Sequence, residues 1–96
     1  MISEASTTLT LPAALTLRDA RSALASLGPA IAEAGASTIV IDAAALAQID
    51  SASLAVLLQC RRLAEGRQRG FEVRNAPPKL VDLAKLYGVA ELLGMS

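Results

Sequence analysis

Histidine is missing from all 96 residues, so no Ser-His or Cys-His nucleophile pair is available within this chain. One cysteine, Cys60, leaves neither an intrachain disulfide nor a zinc ligand set. Tryptophan is absent and Phe71 and Tyr87 are the only aromatics, so the stacking platforms of single-strand nucleic-acid binders are wanting. Nine basic residues are matched by nine acidic ones, without the cationic excess that a phosphate backbone requires. No apolar run approaches the ~20 residues of a membrane span. The N-terminus carries no basic segment leading into an apolar one, as a signal peptide would. The six glycines are scattered as caps and turns, with no Gly-x-Gly-x-x-Gly and no phosphate-binding loop. These absences lead us to expect no catalytic residue, cofactor or metal, no nucleic-acid partner and no direct membrane insertion. The expected address is the cytoplasm, with the inner face of the cytoplasmic membrane reached only through a partner.

What the chain does have is aliphatic bulk. Hydrophobic residues make up 53% of it, chiefly Leu and Ala, which fits a single ordered domain over residues 1–96 with a core from about 7 to 93. An uncharged domain this apolar tends to associate, a hint that a partner covers part of its surface.

After a polar lead-in, Met1 to Ser6, the run Thr7–Leu11 alternates with period two and predicts a strand at a sheet edge, closed by Pro12. Thr16 with Asp19 three residues on resembles a capping box opening a helix, whose apolar face is Leu17, Ala20, Leu24, Leu27 and Ile31. Gly28-Pro29 either kinks that helix or ends it, and Gly35 supplies a stop. Residues 37–42, with Ile39, Val40 and Ile41 at their centre, predict a central strand covered on both faces. Ala43 to Gln48 reads as a loop or short turn, and the helical stretch Ile49–Leu63 follows. Phe71–Arg74 predicts a strand. Leu80, Leu83, Ala84 and Tyr87 then mark a third helix capped by Gly88, and Val89–Leu93 is a short apolar tail. Strands alternating with helices argue for an α/β fold with a mostly parallel or mixed sheet.

The most informative stretch is the second helix. Asp50 suits its N-cap and Ser51 its first turn, with the serine hydroxyl free. A phosphate there would meet unpaired N–H groups and the positive end of the helix dipole, which makes Ser51 a candidate phosphorylation site. At 100° per residue, Ser53, Val56, Leu57, Cys60, Leu63 and Ala64 share the face expected on the sheet. Ser51, Leu54, Ala55, Leu58 and Arg62 share the other, which therefore carries two leucines where an isolated domain would be polar. That face is either a docking patch or is covered by the tail around Leu92 and Leu93. The spacing favours the patch, with Asp50, Ser51, Ala52, Leu54, Ala55, Leu58 and Arg62 as its partner-binding residues. Asp42 and Asp50 read as strand-end and cap residues, Cys60 as a small buried apolar one. Arg61, Arg62, Arg67 and Arg69 read as a solvated helix end.

The order of elements, with Ile49-Asp50-Ser51-Ala52-Ser53-Leu54 opening the central helix, resembles the STAS domain family from about Thr7 to Leu93. That resemblance implies a small sheet with helices packed on one face. Leu83-Ala84-Lys85-Leu86-Tyr87-Gly88-Val89, and Arg74-Asn75-Ala76-Pro77-Pro78-Lys79-Leu80 before it, resemble the MlaB-like branch, stand-alone subunits of a phospholipid-trafficking ABC transporter. The implied partner is the transporter's ATPase subunit. The same family includes anti-sigma factor antagonists, in which the serine at the Ser51 position is phosphorylated by a partner kinase; this is the alternative. Ser53 stands where many members have Gly, and the loop from Pro12 to Thr16 lacks the acid usual in those antagonists. Both departures fit a constitutive interaction module better than a kinase-read switch.

Overall fold

The computed structural model describes residues 6–95, so the expected polar lead-in lies, except for Ser6, outside the described residues. The elements are β1 (Ser6–Thr10), β2 (Ala14–Leu15), α1 (Ala20–Glu33), β3 (Thr38–Asp42), β4 (Gln48–Ile49), α2 (Ser51–Gly66), β5 (Gly70–Arg74) and α3 (Pro78–Leu86). Strands β1, β3 and β5 form a parallel sheet with β3 in the middle, and β2 pairs with β4 in a second parallel ladder.

Register separates the two faces of the main sheet. Thr7, Ile39 and Phe71 lie side by side, as do Leu9, Ile41 and Val73. Ile39, Ile41 and Val73 join the core cluster that also holds Leu27 and Ile31 of α1, Leu57 and Cys60 of α2, and Leu80 and Ala84 of α3. The core therefore lies on one side of the sheet. The intervening row runs Thr8, Val40, Glu72, and Val40 too is buried, as expected for the middle of a central strand.

Helix α1 starts at Ala20 with Asp19 as its N-cap, three residues later than the Thr16 capping box predicts. Asp19 Oδ2 does accept from Thr16 N (3.0 Å) and Thr16 Oγ1 (2.9 Å), but Asp19 N also donates to the Thr16 carbonyl (2.9 Å). These bonds close a turn, and the first helical bond runs from Ala23 N to the Asp19 carbonyl. Leu17 is left at the tip of that turn, 78% exposed, and does not join the apolar face of α1. Gly28-Pro29 does not end α1, which runs on to Glu33. Pro29 has no N–H to donate to the Ala25 carbonyl, and both residues are exposed, so the break in the ladder faces water.

Two short elements escape the periodicity. The segment expected as a loop before α2 ends in β4, and Ala47 N and Gln48 N both donate to the Ala13 carbonyl (2.8 and 2.9 Å). A two-residue strand has no period to detect. The ladder nevertheless brings the lead-in of α1 alongside the lead-in of α2.

Helix α3 opens on Pro78 and buries Leu80 and Ala84. Tyr87, expected on the same face, keeps helical backbone and donates its N–H to the Leu83 carbonyl (3.1 Å), yet its side chain is 57% exposed; the chain then turns away through Gly88 at φ +73°. The tail then reaches the free side of β5, where Val73 N donates to the Gly94 carbonyl (3.2 Å) and Met95 forms a parallel bridge with Val73. Gly94 has φ +63°, and a Cβ there would stand 3.0 Å from the Phe71 carbonyl, so glycine is the residue that fits.

Candidate functional site

Asp50 organises the start of α2. Its backbone is extended, and one carboxylate oxygen, Oδ1, accepts from Ala52 N (2.8 Å). In return Asp50 N donates to Ser53 Oγ (3.2 Å), completing a reciprocal cap. Ser53 is fully buried and its hydroxyl donates onward to the Leu15 carbonyl (2.6 Å), so the cap is tied to β2. The second carboxylate oxygen, Oδ2, accepts from Leu17 N (3.1 Å). One side chain thus fixes both the helix start and the turn that carries Leu17. An open depression of about 650 Å³ lies beside this link, lined by Thr16, Leu17, Arg18, Gln48 and Asp50 among others.

The outward strip of α2 is narrower than the spacing predicts. Ser51, Ala55 and Arg62 are exposed, Ala52 and Leu58 are half-buried, and Leu58 packs against the core. Leu54 is only 2% exposed and belongs to the core cluster, which corrects its placement on a docking patch. The physical reason is that α2 is packed against both α1 and the sheet edge at β5, so its buried arc is wide. From Val56 round to Leu54 it spans about 160° at 100° per residue. The inward residues Ser53, Val56, Leu57, Cys60 and Ala64 are buried as expected, and Leu63 is half-buried.

The exposed surface at the start of α2 therefore combines Leu17, Ala55 and part of Leu58 with Arg18, and Arg62 follows on the same strip about 16 Å along the helix from Ser51; neither cation has an ion pair among the described residues. Ser51 Oγ makes no hydrogen bond among the described residues and stands in the first turn of α2. Leu17 is the residue that sequence reasoning missed. It lies in phase with Ala20, Leu24, Leu27 and Ile31, and the one contrary signal was that Thr16 and Asp19 can also close a local turn.

The remaining candidates have structural partners. Asp42 Oδ1 accepts from Ala44 N (3.0 Å) and Asn75 Nδ2 (3.1 Å), bonds that hold its carboxyl below the usual range and join the ends of β3 and β5. The Thr16 N–H and hydroxyl likewise lower the Asp19 carboxyl. Burial pushes the Cys60 thiol up to about 11. Arg61 pairs with Glu65 one turn on (2.7 Å), and Arg69 Nη1 donates to the Ile31 carbonyl (3.2 Å) near the end of α1. No group of three or more His, Cys, Asp or Glu side chains that could hold a metal is assembled among the described residues, and no helix there is long and apolar enough to cross a membrane.

Comparison with known proteins gives two findings. A family model described as "Mlab, STAS domain" matches residues 1–94. Among solved structures, the anti-sigma factor antagonist SpoIIAA in its unphosphorylated form superposes with a TM-score of 0.77 at 19% sequence identity, covering 100% of this chain and 82% of that one. At that identity the likeness speaks for the fold. No curated protein matches the chain.

Proposed function

The chain belongs to the STAS domain family of the MlaB type, and from that premise we propose that it is a non-enzymatic docking subunit for the ATPase of a phospholipid-trafficking ABC transporter. STAS domains are protein-interaction modules, and the choice of partner is our reading. The observation that carries it is Leu17, exposed at 78% and held to the start of α2 by Asp50. A large apolar side chain on a pinned turn loses little freedom on binding, as a hot-spot anchor should. Around it, Ser51, Ala52, Ala55, Leu58 and Arg62 make the contact strip of α2, with Asp50 beneath. Leu54 takes no direct part. Arg18 and Arg62 suit a partner that offers carboxylates around an apolar socket. On this reading the protein works in the cytoplasm and meets the membrane's inner face through the ATPase.

Pairing Leu17→Asp with Ala55→Arg should weaken binding to the co-expressed ATPase by about 100-fold, in line with the loss of one or two anchors. Both positions are exposed, so circular dichroism and the melting temperature should change little. Full co-purification of the folded double variant would rule out this interface.

The second reading is an anti-sigma factor antagonist switched at Ser51, favoured by the exposed, unbonded hydroxyl in the first turn of α2. A phosphate there would add a charge of about −1.5 to −2 at the start of α2, where unpaired N–H groups and the helix dipole favour it. Intact mass after incubation with a cognate kinase and ATP should then rise by one phosphate in the wild type and stay put in Ser51→Ala. Unmodified wild type would dismiss the switch and leave the docking reading standing.

A further inference from the structure

The two edges of the main sheet are treated differently. On β5 the outer side is occupied by the Gly94–Met95 tail, and the strand carries Glu72 and Arg74, paired with each other. On β1 nothing among the described residues pairs with the outer side. The bond from Leu11 N to the Asp42 carbonyl (3.0 Å) fixes which groups are free. Backbone groups alternate along a strand, so residues 7, 9 and 11 turn toward β3, while Ser6, Thr8 and Thr10 turn their N–H and C=O outward. These three are also the exposed positions of β1. Within Ser6–Thr10 the strand has no charge, no proline and no bulge to protect this edge.

We infer that this edge pairs with β1 of a second copy, antiparallel about a twofold axis through Thr8, giving a dimer with one continuous sheet. Three features favour a second copy over an unrelated strand. The outward residues are Ser and Thr only, so self-pairing sets Thr8 against Thr8 and Ser6 against Thr10, with hydroxyl pairs across the strands and no like charges opposed. Net charge is zero, so two copies meet without mutual repulsion. The arrangement is isologous and closes at two copies, consuming both free β1 edges while β5 stays covered by its own tail. The site is independent of the surface around Leu17 and Ser51.

Sedimentation of the whole chain from micromolar to millimolar concentration tests this. The wild type should move from 9.9 kDa toward twice that mass as concentration rises. Thr8→Pro removes an outward N–H that β3 does not use, a position where an edge strand tolerates proline. Thr8→Lys and Thr8→Glu place like charges opposite one another. Each variant should keep the wild-type circular dichroism and associate at least 10-fold more weakly, while an equal mixture of Thr8→Lys with Thr8→Glu should regain the heavier species. A wild type that stays monomeric throughout overturns the inference. A dimer that persists in Thr8→Lys overturns it as well, by placing the contact elsewhere.

Discussion

Leu54→Arg is expected to unfold the domain rather than to free it from a partner. Leu54 is 2% exposed within the same cluster as Val56, Leu57 and Cys60. Removing a buried leucine side chain alone costs about 2–5 kcal/mol. Forcing a guanidinium into its place adds the desolvation of a buried charge. Domains of this size have roughly 5–15 kcal/mol in all. The variant should lack a cooperative melt and should collect in the insoluble fraction. Ala55→Arg, one residue on and exposed, should melt like the wild type. The pair separates the two sides of α2 in a single experiment: a soluble, cooperatively folded Leu54→Arg would mean that this side of the helix is open after all.

Asp50→Ala carries the next largest effect, because it removes two acceptors at once. Loss of the N-cap bond to Ala52 costs about 1 kcal/mol, and loss of the bond to Leu17 N about as much again. A total near 2 kcal/mol should lower the melting temperature by roughly 10 °C for a domain of this length. Asp50→Asn tells the two bonds apart. Its carbonyl oxygen can still cap Ala52, but the amide nitrogen cannot accept from Leu17 N. Stability should therefore return to within about 1 kcal/mol of wild type, while ATPase binding stays impaired because the Leu17 turn is loose. Were Asp50→Asn to bind like wild type, the pinned turn would have no part in recognition. Were Asp50→Ala to melt unchanged, the two bonds would contribute nothing to stability.

The elements whose period exceeds their boundary error were legible in the sequence. β1, β3 and β5 differ from expectation by about a residue at most, since β-branched runs between glycine and proline leave little choice. The cap at Asp50 and the first turn at Ser51 were legible too, because an acid before an apolar helix has one good use. Leu54 was not. Sequence spacing fixes angles around a helix but not how many neighbours will pack on it, and α2 is packed against both α1 and β5. Leu17 was misplaced because it keeps helical phase with residues of α1 while lying outside that helix, in a turn closed by Thr16 and Asp19. The β2–β4 ladder was invisible for want of length, yet it is what brings the Leu17 turn and the Asp50 cap together. In this fold the candidate interface is assembled by contacts distant in sequence, and local pattern cannot report them.

The register of the main sheet bears on how the chain reaches this state. Ser6 pairs with Thr38 and Thr38 with Gly70, so both ladders join residues 32 apart (6 to 38, and 38 to 70). The short ladder, Ala14 with Gln48, is longer-range still. No hairpin among the described strands offers a cheap first contact. Each ladder must close a loop containing a whole helix before its first hydrogen bond forms, and that entropy is lost before any burial repays it. The contact of α1 with α2 at Gly28 and Leu63 joins residues 35 apart (28 to 63) and is no more local than the ladders, so every long-range contact waits on the same loop closures. The chain should reach its native state more slowly than a helical bundle of the same length, and its uncharged β1 will stay unpaired until late in that process.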